Sequence, residues 1–183
     1  FAGGSVLALT DEGAMNRSMV INSDGEYLAS YDKAHLFPLM DEDKYLRAGS
    51  SRTLFDIGEV KAGLAICYDL RFCEWFRLYA VDGAEVLFIS AQWPLARVAH
   101  WQTLLKARAV ENMMYIVACN RMGQTGKTTF GGSSMVIAPD GEVLLSCGTG
   151  EQFAFAEFDT DKAAAERRFL RTLDFRRPEL YRE

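Results

Sequence analysis

The central stretch of the sequence reads Lys61-Ala62-Gly63-Leu64-Ala65-Ile66-Cys67-Tyr68-Asp69-Leu70-Arg71. Its first six residues are nearly all apolar, which predicts a strand that is covered on both faces. A polar turn begins at Cys67, and the apolar residues of 72–80 then recur at helical spacing. A strand, a turn and a helix in this order lift Cys67 out of the sheet and surround it with backbone N–H groups. This geometry suits a nucleophilic cysteine, although a lone cysteine is more often a buried structural thiol.

On either side of this centre, apolar runs and turn sequences alternate along the chain. The predicted strands are 4–9, 18–21, 27–31, 53–57, 61–66, 85–90, 115–119, 134–138, 143–145 and 153–158, and the predicted helices are 72–80, 97–113 and one from about Asp161. Hairpin strands with helices inserted between some of them are typical of sheets covered by helices on their outer faces. We therefore expect an α/β layered sandwich and a single domain over residues 1–183.

Composition excludes several classes of function. The 183 residues are 49% hydrophobic and carry a formal net charge of -5, with basic residues that are scattered and form no run. This argues against a nucleic-acid or membrane-surface role. The sequence contains no apolar stretch of about eighteen residues and no signal segment at its start. We expect a soluble, cytoplasmic protein.

The cysteines and histidines do not form a metal or disulfide pattern. Cys67, Cys73, Cys119 and Cys147 are irregularly spaced, so most are expected to be reduced and buried. The two histidines lack a ligand spacing, so neither a metal nor a cofactor is expected. The glycine-containing segment 123–128 resembles a phosphate loop, but a strand pattern follows it where a helix would be needed.

Two motifs and one spacing carry a resemblance to a known family. They are Tyr31-Asp32-Lys33-Ala34-His35-Leu36-Phe37, Ile66-Cys67-Tyr68-Asp69-Leu70-Arg71-Phe72-Cys73-Glu74, and Glu42 seven residues before Gly49. Together they resemble the carbon-nitrogen hydrolase, or nitrilase, superfamily, which joins a glutamate, a lysine and a cysteine. The family usually has proline in place of Cys73. Further similarity runs through most of the chain, at 91–94, 100–101, 107–109, 111–112, 120–121 and 132–134.

The resemblance implies a four-layer α-β-β-α sandwich and a role for five residues. Cys67 is expected to attack an amide and form a thioester, while Lys33 and the backbone N–H of Tyr68 stabilise the oxyanion. Glu42 is expected to orient the lysine and help position the hydrolytic water. Trp93 is expected to line the substrate pocket. Members of the family commonly form homodimers or larger homo-oligomers.

The resemblance departs from the family at the general base. The family's base glutamate precedes the segment that resembles residues 1–9, and no such glutamate stands in this sequence. Glu12 and Glu26 lie in turn sequences, where a solvated carboxylate is the ordinary interpretation. We therefore expect a domain truncated at its N-terminus, with the first catalytic glutamate outside the chain.

The motifs around Cys67 and Trp93 are most similar to the omega-amidase branch of the superfamily. The resemblance thus implies a small linear amide as substrate, with ammonia released from a dicarboxylate monoamide. Nitriles and N-carbamoyl compounds are alternatives within the same superfamily. A non-catalytic scaffold or interaction fragment of the same fold is an alternative of another class.

Overall fold

A computed structural model describes residues 1–181 and forms two packed sheets, a small hairpin and a layer of helices. The strands are β1 (Ala2–Thr10), β2 (Gly13–Ile21), β3 (Tyr27–Asp32), β4 (Leu54–Ile57), β5 (Val60–Ile66), β6 (Val86–Ala91), β7 (Tyr115–Asn120), β8 (Met122–Thr125), β9 (Thr128–Gly131), β10 (Met135–Ile137) and β11 (Val143–Ser146). The α-helices are α1 (Glu42–Tyr45), α2 (Cys73–Val81), α3 (Val98–Asn112) and α4 (Lys162–Leu170). None of the helices within residues 1–181 combines the length and the apolar character that a membrane span requires.

The larger sheet has six strands in the order β11-β10-β7-β6-β5-β4. Strands β5, β6 and β7 run parallel, with Ile66 beside Ser90 and Ala91 beside Asn120. The carboxyl ends of parallel strands meet at one edge of a sheet, and sites in α/β proteins form at this edge. Cys67 and Trp93, which follow β5 and β6, therefore lie along the same edge.

The smaller sheet is the antiparallel meander β1-β2-β3. It packs against the larger sheet through a buried cluster that joins Val20 and Tyr31 to Phe55, Leu64 and Ile66. This packing brings the end of β3 close to the end of β5. The segment that carries Lys33 and the turn that carries Cys67 thus come from different sheets and meet between them.

Helices α2 and α3 cover the other face of the larger sheet. Phe76 and Tyr79 of α2 and Trp101 and Leu105 of α3 are all fully buried in this second core. Residues 1–181 therefore form three layers in the order sheet, sheet, helix. On β1, Leu7 and Leu9 are 66% and 83% exposed, so this end of the strand is uncovered in the described part of the chain.

One predicted strand does not form. Residues 153–158 carry no assigned strand, and Phe153 and Phe155 are 98% and 93% exposed. Their apolar alternation is a strand pattern, but a strand also needs a neighbour that satisfies its backbone N–H and C=O groups. No strand of residues 1–181 pairs with this segment.

The expectation of buried cysteines is wrong for two of them. Cys73 and Cys119 are exposed, whereas Cys67 and Cys147 are half-buried. Cys73 begins α2 at the surface, and Cys119 lies on the face of β7 that its buried neighbours do not share. Apolar neighbours in the sequence therefore did not determine whether these thiols are buried.

The close packing of β5 against α2 generates a test of the fold. A Cβ added at Gly63 would lie 2.7 Å from Cε1 of Tyr79 and 2.8 Å from Cδ1 of Leu87. The Tyr79 ring cannot move freely because its hydroxyl donates to the Leu64 carbonyl at 2.6 Å. Gly63→Ala should lower the free energy of unfolding by about 1–3 kcal/mol, the usual cost of overpacking a core. Urea denaturation measures this change.

The matched control is Gly4→Ala on the exposed strand β1. A Cβ added at Gly4 meets no atom within 4 Å. Its effect on the free energy of unfolding should stay within about 0.5 kcal/mol, as for most surface substitutions. Equal stability of the two variants would contradict the packing described for Gly63.

Candidate active site

Cys67 sits in a strained backbone conformation directly after the buried strand β5. Its φ angle is +47°, in the left-handed region that residues other than glycine seldom adopt. Residues Cys67–Arg71 form a single 3-10 turn. The carboxylate of Asp69 accepts the N–H of Ile66 at 2.9 Å and so closes this turn. Strain of this kind concentrates at functional sites, where the surrounding structure holds it.

The Cys67 side chain faces a cavity of about 120 Å³ between the two sheets. The five residues predicted for the site all line this cavity: Lys33, Glu42, Cys67, Tyr68 and Trp93. They come from the ends of β3, β5 and β6 and from the start of α1. The structure therefore brings the predicted residues together, while their roles in a reaction stay predictions.

Lys33 contributes a buried cation to the cavity. Its side chain is 2% exposed, and Nζ lies 2.5 Å from Oε2 of Glu42. The same oxygen of Glu42 accepts the backbone N–H of Phe37 at 2.8 Å. A buried charge is tolerated only when it is paired and hydrogen-bonded, so the contact with Glu42 fixes the position of the Lys33 ammonium.

The groups around Cys67 shift the pKa of its thiol in opposite directions. Burial is the largest influence and raises the pKa of the Cys67 thiol, whereas the charge of Lys33 and the backbone N–H of Gln92 lower it. The charges of Glu42 and Asp69 raise this pKa further. The net pKa lies above the ordinary value, so the thiol is protonated at neutral pH and needs a base when it reacts.

The predicted substrate-pocket residues form one wall of the cavity. Trp93 is 3% exposed, and its indole N–H donates to the carbonyl of Arg97 at 2.8 Å. Tyr68 packs its ring against Phe37 and Phe72, with centroid distances of 4.8 and 5.4 Å. The backbone N–H of Tyr68 belongs to the residue that directly follows Cys67, and its role at the oxyanion stays a prediction.

A buried carboxylate beside Cys67, that of Asp69, was not predicted to belong to the site. Asp69 is fully buried, and it accepts the Tyr31 hydroxyl at 2.8 Å and the Ile66 N–H at 2.9 Å. Its other oxygen accepts the backbone N–H of His35 at 3.0 Å and lies 2.8 Å from Nδ1 of the same residue. The two quoted motifs contain all three residues of this network, Tyr31, His35 and Asp69. Their presence in the motifs was the sequence signal that could have indicated it.

Two arginines that were not predicted to belong to the site, Arg71 and Arg97, also line the cavity. The Arg71 guanidinium lies 5.0 Å from the centroid of the Trp93 ring, and its Nη2 is 3.4 Å from Nδ1 of His100. Within residues 1–181, neither arginine forms an ion pair with a carboxylate. Both arginines are exposed, so the rim of the cavity carries two cations that lack an ion-pair partner, which suits an anionic ligand.

Comparisons with known proteins agree with this geometry. A sequence model of the family described as carbon-nitrogen hydrolase matches residues 2–168. The 2-oxoglutaramate amidase of Bacillus subtilis (strain 168) is 43% identical over 178 residues, which are 97% of this chain and 69% of that protein. The omega-amidase YafV of Escherichia coli (strain K12) is 38% identical over 144 residues, which are 78% of this chain and 55% of that protein.

Solved structures share the fold. A carbon-nitrogen hydrolase superfamily protein of Xanthomonas campestris, XC1258, superposes with a TM-score of 0.88 and 32% identity. The match covers 95% of this chain and 68% of that chain, and that structure is described with an arsenic adduct in its active site. The fold expected from the sequence, a sandwich of the carbon-nitrogen hydrolase type, is therefore confirmed, and residues 1–181 contain three layers of its four-layer arrangement.

The opposed charges around Cys67 generate a test that requires no substrate. Lys33→Met removes the charge that lowers the Cys67 pKa, so the pH midpoint for alkylation by iodoacetamide should rise. The rate of Cys67 labelling is measured by peptide mass spectrometry across a pH series.

The control for this experiment is Lys44→Met. Lys44 is 64% exposed and pairs with Asp41 on the surface. Exposed charges are screened by solvent, so this variant should leave the midpoint in place. An unchanged midpoint for Lys33→Met would show that the Lys33 charge does not act on Cys67 as described.

Proposed function

Because the chain belongs to the carbon-nitrogen hydrolase family, we propose that it cleaves the amide of a small dicarboxylate monoamide and releases ammonia. The observation that carries the proposal is the shared cavity, in which Cys67 and the paired Lys33 lie together with Arg71 and Arg97. The thiol and the lysine suit acyl transfer from an amide. The arginines suit the carboxylate at the other end of the substrate. The names of the Bacillus and Escherichia relatives agree with this substrate class.

The proposed reaction begins with attack of the Cys67 sulfur on the amide carbonyl carbon. The carbonyl oxygen becomes anionic and is stabilised by Lys33 Nζ and the backbone N–H of Tyr68, donors worth about 3 kcal/mol each in other oxyanion holes. Collapse of this intermediate breaks the carbon–nitrogen bond and leaves a thioester on Cys67. The departing nitrogen takes a proton and leaves as ammonia. Water then attacks the thioester and frees the second carboxylate.

A base must take the thiol proton and pass a proton to the departing nitrogen. Within residues 1–181, Glu42 is the carboxylate that lines the cavity, and its Oε2 already holds Lys33 and the Phe37 N–H. We therefore assign Glu42 to positioning Lys33 and the hydrolytic water. The proposal places the base on a glutamate outside these 183 residues, and the greater length of the relatives supports it.

The proposal predicts an acyl adduct on Cys67. Glutaramate mixed with the form of the protein that also contains the sequence upstream of Phe1, and quenched rapidly, should add the mass of its acyl group to the Cys67 peptide. Steady-state assays of the same form should release ammonia. The kcat/KM for glutaramate should exceed that for the neutral pentanamide by about tenfold or more, because a charge-assisted hydrogen bond is worth about 1.5–3 kcal/mol. Mass spectrometry and an ammonia assay measure the two results.

Cys67→Ala should abolish the adduct and the turnover with the circular dichroism spectrum preserved. Cys73→Ala is the matched control and should keep most of the activity, because Cys73 is an exposed residue at the start of α2. Adducts with nitriles or N-carbamoyl compounds in place of glutaramate would redirect the proposal within the superfamily. A protein that forms no adduct with any of these compounds would support the scaffold alternative.

The placement of the base gives a separate prediction. The 183 residues by themselves should permit alkylation of Cys67 but not multiple turnover, because a protonated lysine cannot accept the thiol proton. The protein that also contains the sequence upstream of Phe1 should release ammonia steadily. Parallel assays of both forms with glutaramate test this prediction. Equal rates would place the base within these residues, with Glu42 as the first residue to examine.

A further inference from the structure

The Asp69 carboxylate connects the two segments that supply the reacting groups. Oδ2 accepts the Ile66 N–H at 2.9 Å and the Tyr31 hydroxyl at 2.8 Å, which join the cysteine turn to β3. Oδ1 accepts the His35 N–H at 3.0 Å and lies 2.8 Å from the His35 ring nitrogen Nδ1. Lys33 stands between Tyr31 and His35 in the sequence. The carboxylate therefore holds the residue before Cys67 and the residues on both sides of Lys33.

Three of these four contacts require Asp69 to be the acceptor. The two backbone N–H groups and the hydroxyl all point their hydrogens at Asp69, and this side chain is fully buried. An asparagine of the same shape would turn its NH2 group toward at least one of these donors and leave that donor unsatisfied. The Tyr31 hydroxyl itself is anchored, because it accepts the Ala34 N–H and the Trp75 indole N–H at 3.1 Å each.

We propose that Asp69 is a positioning residue that holds the Cys67 sulfur and Lys33 Nζ at their working separation. It does so by retaining the +47° backbone at Cys67 through Ile66 and by fixing the end of β3 through Tyr31 and His35. Asp69 does not touch the reacting atoms. The proposal rests on the proposed function only in taking Cys67 and Lys33 as the groups that act on the substrate.

A purely electrostatic role for Asp69 predicts a different outcome. The Asp69 charge raises the pKa of the Cys67 thiol, so its removal alone would make the thiol more acidic and more reactive. A geometric role predicts a loss of turnover even though the thiolate becomes easier to form. The two roles therefore separate in a measurement of turnover together with thiol ionisation.

The test compares Asp69→Asn with the unchanged protein, in the form that contains its upstream sequence. The kcat for glutaramate should fall about hundredfold, the loss expected from a misplacement of roughly 1 Å, while KM stays within a few fold. The pH midpoint of Cys67 alkylation should not rise. Tyr31→Phe, which removes one of the donors, should lower kcat by a smaller factor, and the double variant should lose less than the product of the two factors.

The matched control is Asp56→Asn, which removes a 65% exposed carboxylate paired with Lys61 on the surface. It should leave kcat and the alkylation midpoint unchanged. An unchanged kcat in a folded Asp69→Asn protein, or a loss confined to KM, would overturn the proposal. If Asp69→Asn does not fold by circular dichroism, Tyr31→Phe decides the question, and an unchanged kcat in that variant would overturn it.

A second measurement works without any turnover. Lys33→Met should raise the alkylation midpoint of Cys67 in the unchanged protein, and the same substitution should have a smaller effect when Asp69 is already asparagine. An equal effect in both backgrounds would show that Asp69 does not hold the two residues together. Absence of amide hydrolysis by the unchanged protein would instead contradict the proposed function and leave this comparison to decide the role of Asp69.

Discussion

The ion pair between Lys33 Nζ and Glu42 Oε2 keeps a cation in a cavity where its side chain is 2% exposed. Removing an ammonium from water costs several kcal/mol, and only a well-placed partner offsets that cost. The segment that joins Lys33 to α1 must therefore place the Glu42 carboxylate beside the Lys33 ammonium. The Phe37 N–H donates to this carboxylate and holds it in place. The same constraint extends to Gly49, whose N–H donates to the Lys33 carbonyl at 2.9 Å. Only glycine fits there, because an added Cβ would lie 2.2 Å from the Asp32 carbonyl oxygen.

The state of Cys67 follows from the same arrangement. Because Glu42 neutralises much of the lysine charge and the thiol is buried, the pKa of Cys67 stays above its ordinary value. Because the resting thiol is neutral, the interactions of Lys33 with negative charge strengthen only as that charge develops on the substrate oxygen. Such interactions stabilise the transition state more than the ground state, which is the requirement for a higher kcat. A resting thiol also makes the reaction depend on a base.

The sequence was sufficient to predict the elements that depend on local structure, and insufficient to predict the contacts that depend on packing. The strand, turn and helix around Cys67 were predicted because a continuous apolar run and a helical period lie next to one another. The placement of Lys33 and Glu42 in the site could be predicted only from their joint motif, since each residue alone is ordinarily interpreted as a surface charge. The contacts of Asp69 with Tyr31 and His35 cross 38 and 34 residues and exist because two sheets pack together. The exposed segment 153–158 shows the converse case, in which a local strand pattern lacks a neighbouring strand in the described chain.

The distribution of charge in the cavity also bears on how a dicarboxylate monoamide would lie in it. Lys33 is already neutralised by Glu42, whereas Arg71 and Arg97 have no carboxylate partner within residues 1–181. A substrate carboxylate gains more from the two arginines than from the paired lysine, so the proposed substrate places its charged end there. Its amide then faces Cys67. The reverse orientation would bring a carboxylate to the thiol, where the negative charges of Glu42 and Asp69 oppose it. The same charges that position the catalytic groups would therefore also select the productive orientation of the substrate.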